Sequence, residues 1–426
     1  MAMKRIIWLC LCLFCLNKGF AAKYYCNPLK GKMSNKGSFD SPWSTLDSVF
    51  LTKKSLNAGD SIILMSGNHH SPVISGNLKG VQPVTVLAGK GQFPRVNSLL
   101  VADGKHWKIF GLKVCPDDTG WLEKRDYVII KPTASFITIG NFDISSTDSC
   151  VSNWSAAKIL ARAGLGIRVE GSDCSLINNS LKQVSFGIVV AKTAIRTKVF
   201  GNIIYGFLHD GIRGLSNDSE FEFNLVAGSY GIDDNHDDGF QSWSTDEEGK
   251  VGMGKVSNVV LRNNIFISQL DPRQPFPQKT GMQGIGCFDG FFENWTIENN
   301  VIITNMWHGI SFYGARNVKI LNNTVASNPF AGKPFMPWIG IYNHKKLGAG
   351  IGNTVMDNFT TGLSELNGVT TESGNIKVDA NRLNEYFENW RSFKFGIKSK
   401  IKRDNKVGPD IHKLPKINSQ LYQCTK

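Results

Sequence analysis

The sequence repeats a pattern of asparagine-bearing turns, each followed by a glycine and a large apolar residue. The turns are Asn178-Asn179, Gly201-Asn202, Asn224, Asn263-Asn264, Asn299-Asn300, Asn322-Asn323 and Asn358. The first six are followed by Gly187-Ile188, Gly211-Ile212, Gly239-Phe240, Gly284-Ile285, Gly309-Ile310 and Gly340-Ile341. The runs between the turns are short and rich in β-branched residues, and none has a sustained helical period. The pattern therefore predicts many short strands.

The spacing of the turns predicts how these strands are arranged. Steps of 22 or 23 residues are typical of one coil of a parallel β-helix, and steps of up to 40 residues indicate coils with insertions. Each coil buries its apolar side chains only against neighbouring coils, and asparagines at equivalent turns can hydrogen-bond along the stack. We therefore expect an all-β protein that folds as a parallel β-helix solenoid.

The alternation of side chains along a strand predicts which residues face outward. If the apolar residue after each glycine points inward, the next residue points outward. One outward file is then Arg168, Arg213, Gln241, Ser311 and Tyr342, and a second is Glu170, Trp243, Tyr313 and His344. Guanidinium, amide and aromatic groups in a row predict a groove for an extended sugar chain.

The beginning of the chain is typical of a secretory signal. Lys4 and Arg5 precede an apolar run over residues 6–16, and small residues follow it. We expect residues 1–22 to be removed and the protein to be exported, to the periplasm or out of the cell. No later stretch is long and apolar enough to predict a membrane-spanning helix.

The remainder divides into two parts. We expect residues 23–375 to form the β-helix domain with an N-terminal cap, which includes a short helix near residues 44–56. Residues 376–426 are expected to form a C-terminal cap and basic tail. Within this part, residues 379–394 read as an amphipathic helix with Asp379 as its N-cap.

The net charge and the cysteine content indicate which kind of partner the protein binds and whether disulfides can form. The formal net charge of +13 falls to +10 without residues 1–22, which favours a polyanionic partner, although a basic isoelectric point kept for solubility is the alternative. Scattered basic residues without a basic helix argue against nucleic acid. Six cysteines follow residue 22, and an oxidising compartment allows disulfides. We expect a local Cys150–Cys174 bridge and a buried free thiol at Cys287.

The stretch from Tyr230 to Trp243, YGIDDNHDDGFQSW, is the densest collection of proton carriers and cation ligands in the chain. Four carboxylates and an imidazole within six residues repel one another unless a cation, an arginine or a proton compensates them. Single acidic turn residues often cap backbone amides, but capping does not need five ionisable groups together. The stretch therefore predicts a functional site.

The N-terminal run YYCNPLKGKMSNKGSFDSPWSTL, the strand AGDSIILMSG and the asparagine-glycine coils resemble exported right-handed parallel β-helix proteins of the pectate lyase-like superfamily. This group contains polysaccharide lyases, uronan epimerases and inverting polygalacturonases. YGIDDNHDD is similar to the signature of alginate C5-epimerases, which implies that Tyr230, Asp233 and His236 are catalytic. NHDDGF is similar to the calcium-binding stretch of some pectate lyases, which implies Asp237 and Asp238 as Ca²⁺ ligands. WHGISFYG, with His308, is similar to a polygalacturonase motif.

Lyases and epimerases of this kind remove the proton at C5 of a uronic acid. The substrate carboxylate must be neutralised, and a base and an acid must be present. We expect Arg213 to recognise the carboxylate, His236 to be the general base or acid, and Tyr230 to be the second proton carrier, with Asp233 and Asp238 in the same catalytic group. Asp233, Asp237 and Asp238 are the candidate Ca²⁺ ligands. The expected substrate-binding residues are Arg168, Gln241, Trp243, His308, Tyr313, Tyr342 and His344.

Three classes of function remain open from the sequence. The leading one is an enzyme acting on an acidic polysaccharide, most simply a β-eliminating lyase, with a C5-epimerase close behind. The second is an inverting glycoside hydrolase that uses two of Asp210, Asp237 and Asp238. The third is a glycan-binding protein without catalysis, for which the aromatic file suffices. His209-Asp210 is a second acid-base pair or a polar turn, and a monomer is favoured.

Overall fold

A computed structural model describes residues 21–76, 80–116, 125–276, 280–330, 335–398 and 407–417. The expected signal segment lies outside the described residues except for residues 21 and 22. Cys424, within the expected basic tail, also lies outside them.

Three long parallel sheets stack as a solenoid in the described part of the chain. We name them sheets I, II and III in the order in which the chain first enters them. Sheet I contains Lys23–Cys26, Ser61–Leu64, Val84–Ala88, Lys105–Phe110, Ser135–Gly140, Ser175–Ile177, Lys198–Phe200, Glu220–Glu222, Val260–Arg262, Thr296–Glu298, Lys319–Leu321, Asn353–Met356 and Val369–Ser373. Sheet III, in chain order, contains Val73–Ile74, Leu99–Val101, Val128–Ile130, Ile167–Val169, Ile188–Val190, Asp210–Gly214, Asp237–Trp243, Met282–Asp289, His308–Tyr313, Trp338–Tyr342 and Gly362–Leu366.

Sheet II completes each coil. It contains Gly67–Asn68, Pro94–Val96, Lys113–Val114, Asp143–Ser145, Ser180–Val184, Ile203–Phe207, Leu225–Ala227, Ile265–Ile267, Val301–Thr304, Thr324–Ser327, Phe359–Thr360 and Ile376–Lys377. A small fourth sheet joins Lys255–Ser257, Phe291–Glu293 and Ala315–Arg316. The predicted fold class, an all-β parallel β-helix, is confirmed.

An asparagine ladder joins the coils at the turn between sheets I and II. Each side-chain amide donates to the side-chain oxygen of the next member, at 2.9 to 3.0 Å. The members are Asn179, Asn202, Asn224, Asn264, Asn300, Asn323, Asn358 and Asn375. The residue before a member is often left-handed, as at Asn263 with φ of 59°, and asparagine and glycine tolerate that conformation. The predicted hydrogen bonding along the turns is confirmed.

The register of sheet III confirms the predicted inward file except at its end. Ile188, Ile212, Phe240, Ile285 and Ile310 pair successively, and all are buried. In the next coil, however, an irregularity in the pairing brings Ile339 opposite Ile310.

This irregularity changes the outward files. Tyr342 pairs with Tyr313, not with Ser311 as predicted, and the two rings stack at 4.5 Å. The sequence pattern missed the shift because the strand Trp338–Tyr342 contains an apolar residue both before and after its glycine.

The helices are short. Helix α1 is Leu46–Leu51, where the sequence predicts one, with Thr45 as its N-cap. Helix α2, Ala156–Arg162, was not predicted. The single helix expected over residues 379–394 is wrong, although Asp379 is an N-cap as predicted, since its side chain accepts from the backbone amide of Asn381. The chain there forms Ala380–Arg382 (3₁₀), helix α3 Leu383–Tyr386, strand Phe387–Asn389, Trp390–Ser392 (3₁₀) and strand Lys394–Ile397, with a further 3₁₀ turn at Ile411–Lys413.

Aromatic packing explains this departure from a helix. Phe387, Trp390 and Phe395 are buried together in one cluster with Phe359 of sheet II, which two short antiparallel strands allow. Among the described helices, none has the length and apolar character that crossing a membrane requires.

The predicted Cys150–Cys174 bridge is wrong. Cys150 is disulfide-bonded, but Cys174 is a free thiol buried in the core. Cys174 lies immediately before a sheet I strand and faces inward, which the spacing of the two cysteines could not show. Cys287 is a buried free thiol, as expected.

Candidate functional site

The acidic stretch leads into the strand Asp237–Trp243 of sheet III. Its position is fixed from behind by a buried cluster that contains Tyr230, Ile232 and Phe276, together with Ile159 of helix α2. The unpredicted helix therefore supports the loop that carries the ionisable groups.

A row of polar side chains occupies the position before the glycine in successive strands of sheet III. Asp210, Asp238 and Gln283 are register partners in adjacent strands. His308 occupies the equivalent position in the next strand, two residues before Ile310, which pairs with Ile285. We name Asp210, Asp238, Gln283 and His308 the pre-glycine row.

Three members of this row contact the side chain three residues later. Arg213 donates to Asp210 Oδ2 from Nε at 2.9 Å and from Nη2 at 2.5 Å. Gln241 Nε2 donates to Asp238 Oδ2 at 3.0 Å. In the third contact, His308 Nδ1 lies 2.9 Å from the hydroxyl of Ser311. The repeated backbone geometry thus joins the outward file to the pre-glycine row.

Asp210 and Asp238 form a buried, coupled pair. Both are at most 1% exposed, and the backbone amide of Asp238 donates to Asp210 Oδ1 at 3.3 Å. Burial raises the pKa of both carboxyls, and the charge of Asp238 adds to the rise at Asp210. Arg213 opposes the rise at Asp210, since a fork of donors favours the carboxylate. The expected carboxylate-recognising fork is therefore already engaged by an internal partner.

His236 lies above this pair at the surface. Its Nδ1 is 3.5 Å from Asp238 Oδ2, and 51% of its side chain is exposed. The contact with Asp238 raises the pKa of His236, against the opposing effect of partial burial. A histidine held by a buried aspartate and open to solvent is suited to proton transfer.

His236 opens onto a cavity of about 620 Å³ along sheet III. The lining residues are Asn235, His236, Gln241, Trp243, Val251, Gln283, Phe288, Asp289, His308, Tyr313 and Lys345. Five of them, His236, Gln241, Trp243, His308 and Tyr313, are predicted site residues. The aromatic members are suited to stacking against sugar rings.

Gly286, in the same sheet, is the register partner of both Gln241 and Ser311. A Cβ atom at Gly286 would lie 2.5 Å from Asp238 Oδ1 and 2.5 Å from the ring of Phe288. The carboxylate of Asp238 and the ring of Phe288 therefore fill the space above Gly286, and a side chain at this position would displace them.

The insertion over residues 244–254 forms one wall. Lys192 Nζ donates to the carbonyl oxygens of Thr245 and Asp246, each at 3.0 Å. His344 Nε2 lies 2.7 Å from the carbonyl oxygen of Gly252. The wall is thus held from two different coils.

His344 does not occupy the substrate-facing position predicted for it. It is 6% exposed, stacks on Phe291 and accepts the backbone amide of Leu347 at Nδ1. The register shift before Tyr342 removes His344 from the outward file. Its contacts are those of a histidine that anchors loops.

Tyr230 is also interior. It is 1% exposed, packs edge-on against Phe276 at 4.9 Å, and burial raises the pKa of its hydroxyl further above the ordinary value. This position does not support contact with a substrate. The alternation of the sequence could not show that the chain turns at Gly231, where φ is +50°.

Two further predicted residues lie beside the cavity, not in it. Arg168 is two strands from Arg213 and donates to Asp126 Oδ2 at 2.5 Å. Tyr342 supports Tyr313 by stacking and contacts the hydroxyl of Ser364 at 2.7 Å.

A second cluster lies on the other side of the acidic stretch. Ligand atoms of His209, Asp233 and Asp237 all lie within 4.8 Å of one another. Asp237 is fully buried, its Oδ2 accepts from the backbone amide of Gly231 at 3.1 Å, and its Oδ1 has no hydrogen-bond partner in the described structure. Burial raises the pKa of Asp237 to about 8. A cation would offset that burial, so these residues fit a metal ion.

This cluster differs from the expected ligand set. Asp238, adjacent to Asp237, points to the opposite side of the strand and contacts His236 and Gln241. His209 is the third member of the cluster in place of Asp238. From the sequence, His209-Asp210 is interpreted as an acid-base pair or a polar turn. Gln283, Phe288 and Asp289 line the cavity but are not predicted from the sequence. The signal that could have found Gln283 is the polar residue before the glycine at Asp210, Asp238, Gln283 and His308.

Comparison with known proteins finds similarity to β-helix proteins. A family model described as a right-handed β-helix region matches residues 165–336. No curated protein sequence matches the chain. The match to the family model confirms the predicted resemblance to right-handed parallel β-helix proteins.

Solved structures of the same fold type are similar at low identity. A pectate lyase is 17% identical with a TM-score of 0.49, covering 93% of this chain and 89% of that chain. The A-module of a mannuronan C-5 epimerase from Azotobacter vinelandii is 13% identical with a TM-score of 0.48, covering 79% and 90%. A mannuronic-acid-specific family 6 lyase from the human gut microbiota is 14% identical with a TM-score of 0.46, covering 88% and 96%. Identities of this size do not specify an activity.

Proposed function

We propose that this protein is an enzyme that acts on a uronic-acid-containing polysaccharide by abstraction of the C5 proton, most simply a β-eliminating lyase. The observation that carries the proposal is the half-exposed imidazole of His236, held by buried Asp238 at the edge of an aromatic-lined cavity on sheet III. A proton-transfer group and stacking surfaces are thus combined in one groove.

The aromatic residues account for the binding of a neutral part of the sugar. Trp243 and Tyr313 line the cavity, and Phe288 packs against Tyr313 at 5.5 Å. Gln241 and Gln283 supply amide groups that can hydrogen-bond to hydroxyls.

Neutralisation of the substrate carboxylate requires positive charge. Lys345 is the one lysine or arginine among the described lining residues, and its Nζ lies 3.0 Å from Asp289. Arg213 is engaged by Asp210. Among the described lining residues, the protonated form of His236 is a further source of positive charge.

We include a cation in the proposal in a structural role. His209, Asp233 and Asp237 would hold it, and it would offset the burial of Asp237 and fix the acidic stretch that carries His236. An imidazole with two carboxylates suits Mn²⁺ or Zn²⁺ better than Ca²⁺, which prefers six or more oxygen ligands.

The other functions are less well supported by the geometry. A C5-epimerase would use the same groups with proton return from the opposite face, and it stays the second candidate. An inverting hydrolase needs two carboxylates that face each other across the groove. Asp210, Asp237 and Asp238 are all buried, and their burial disfavours an inverting hydrolase. A glycan-binding protein would need the aromatic residues alone.

The test is product formation by the mature protein on a panel of alginates, pectates and glycosaminoglycans, followed by the ultraviolet absorbance of the unsaturated uronate. We expect a rise on one substrate that is lost in His236→Ala and kept in His412→Ala, an exposed histidine far along the chain. Absence of a rise on the whole panel, with no inversion at C5 by NMR, would refute the proposal. Export to the periplasm or medium and a monomeric state are part of the same proposal, and fractionation and sedimentation test them.

A further inference from the structure

His308 occupies the fourth place of the pre-glycine row, on the same cavity as His236. His236 precedes the strand Asp237–Trp243, whereas His308 begins a strand two coils further along. Two strand spacings correspond to roughly 10 Å. The intervening coil places Gln283 in the same row and on the same cavity. A sugar ring seated over Gln283 would thus lie between the two imidazoles.

The surroundings of His308 fix the orientation of its ring. It packs edge-on against Phe288 at 5.1 Å and against Trp338 at 5.4 Å. Its Nδ1 is paired with the buried hydroxyl of Ser311 at 2.9 Å. In the described structure Nε2 has no hydrogen-bond partner, so this nitrogen is the one available to a ligand.

We propose that His308 is the base that removes the C5 proton, an assignment that rests on the function proposed above. The geometry favours His308 for this role because its ring is held rigidly by three neighbours and directs one nitrogen to the cavity.

The electrostatic surroundings agree with the assignment. Burial lowers the pKa of His308, and the neighbouring His236 lowers it further. The titratable groups that face the ring are His236 and Tyr313. The ring is therefore neutral at neutral pH, the state in which it can accept a proton.

The elimination balances with these groups. Nε2 of His308 takes the proton from C5, and the electron pair of that bond forms the C4–C5 double bond. The C4–O4 bond breaks with its electron pair on O4, which takes a proton from His236 or from water. No oxidant or reductant is required.

The experiment compares the wild-type protein with His308→Asn and His308→Gln in deuterated water, on the uronan identified by the panel. Asparagine can keep the Nδ1 contact with Ser311 while it removes Nε2. We expect His308→Asn to lower kcat by about 10² to 10⁴ without a matching rise in KM, and to abolish any exchange of the C5 proton for deuterium in the unreacted uronan. His106→Asn is the matched control, because His106 lies on sheet I with a φ of 58° that asparagine tolerates. It should leave both readouts unchanged.

Failure of the assignment and failure of the proposed function give different results. If the wild type is active and either folded His308 variant keeps more than about a tenth of its rate, the assignment is wrong and the proposed function stands. If the wild type forms no product and shows no C5 exchange on any uronan, both are wrong. Thermal unfolding monitored by circular dichroism identifies the folded variants, and glutamine serves if asparagine does not fold.

Discussion

The hydrogen bonds of the asparagine ladder allow us to predict how much stability is lost when one of its members is replaced. Asn264 Oδ1 accepts the backbone amide and the side-chain amide of Asn224, each at 3.0 Å. Its own Nδ2 donates to the carbonyl oxygen of Phe221 at 2.8 Å and to Asn300 Oδ1 at 2.9 Å. Asn264→Ala removes all four bonds and leaves the buried amide of Asn224 without its partner.

Each bond contributes about 1 kcal/mol net, so we expect Asn264→Ala to lower the free energy of unfolding by about 4 kcal/mol. A loss of that size is a large fraction of the stability of an ordinary domain. The assay is equilibrium unfolding in urea, with Asn381→Ala as the control, because Asn381 is an exposed asparagine that should change stability by less than about 0.5 kcal/mol.

Hydrogen exchange gives an independent readout, since the amide of Asn224 should lose protection in Asn264→Ala and keep it in the control. A loss below about 1 kcal/mol, with protection unchanged, would refute the view that the ladder is a source of stability and not only a consequence of the coil geometry.

Three further predictions concern pH, metal and substrate. Burial lowers the pKa of His69 to about 4, below the value of 6.5 expected in the unfolded chain. Because the unfolded chain takes up the proton first, the free energy of unfolding should fall as the pH drops from about 6.5 to about 4. In acid unfolding curves, His69→Gln should flatten this decline. Mn²⁺ should raise the melting temperature of the wild type but not of Asp237→Asn, and an equal rise in both would place the cation elsewhere. Tyr313→Ala should raise KM about fivefold, which corresponds to the loss of roughly 1 kcal/mol of stacking, with kcat nearly unchanged. Phe136→Ala on sheet I should change neither.

The fold could be predicted because its signals are local and repeated. A left-handed residue before a ladder asparagine and an inward apolar residue after a glycine recur in each coil, and each can be read from a few adjacent letters. The register at Ile339 and the strands around Trp390 could not be predicted in this way. At these two places the local sequence is compatible with more than one register or secondary structure, and packing against a neighbouring coil determines which one forms.

The site was only partly predictable for a related reason. Asp238 and Asp237 are adjacent in sequence, yet one is held with His236 and the other lies with His209, because successive residues of a strand face opposite sides. A cluster of charges in the sequence therefore indicates where a site is, but not which charges share it. The catalytic assignment of Tyr230 rests on the motif alone. Tyr230 is buried against residues that include Ile159 of helix α2, and the repeat pattern does not predict that helix.

The pre-glycine row places chemically different side chains at regular intervals along the groove. The same backbone position carries Asp210, Asp238, Gln283 and His308 in consecutive coils. Because each coil places that position one strand spacing further along the groove, a change of residue type from coil to coil becomes a change of chemistry along a bound chain. Carboxylates at one end are compensated by Arg213 and His236, and a neutral imidazole stands at the other. The repeat thus supplies the spacing, and single substitutions within it supply the charge separation that proton transfer between two groups requires.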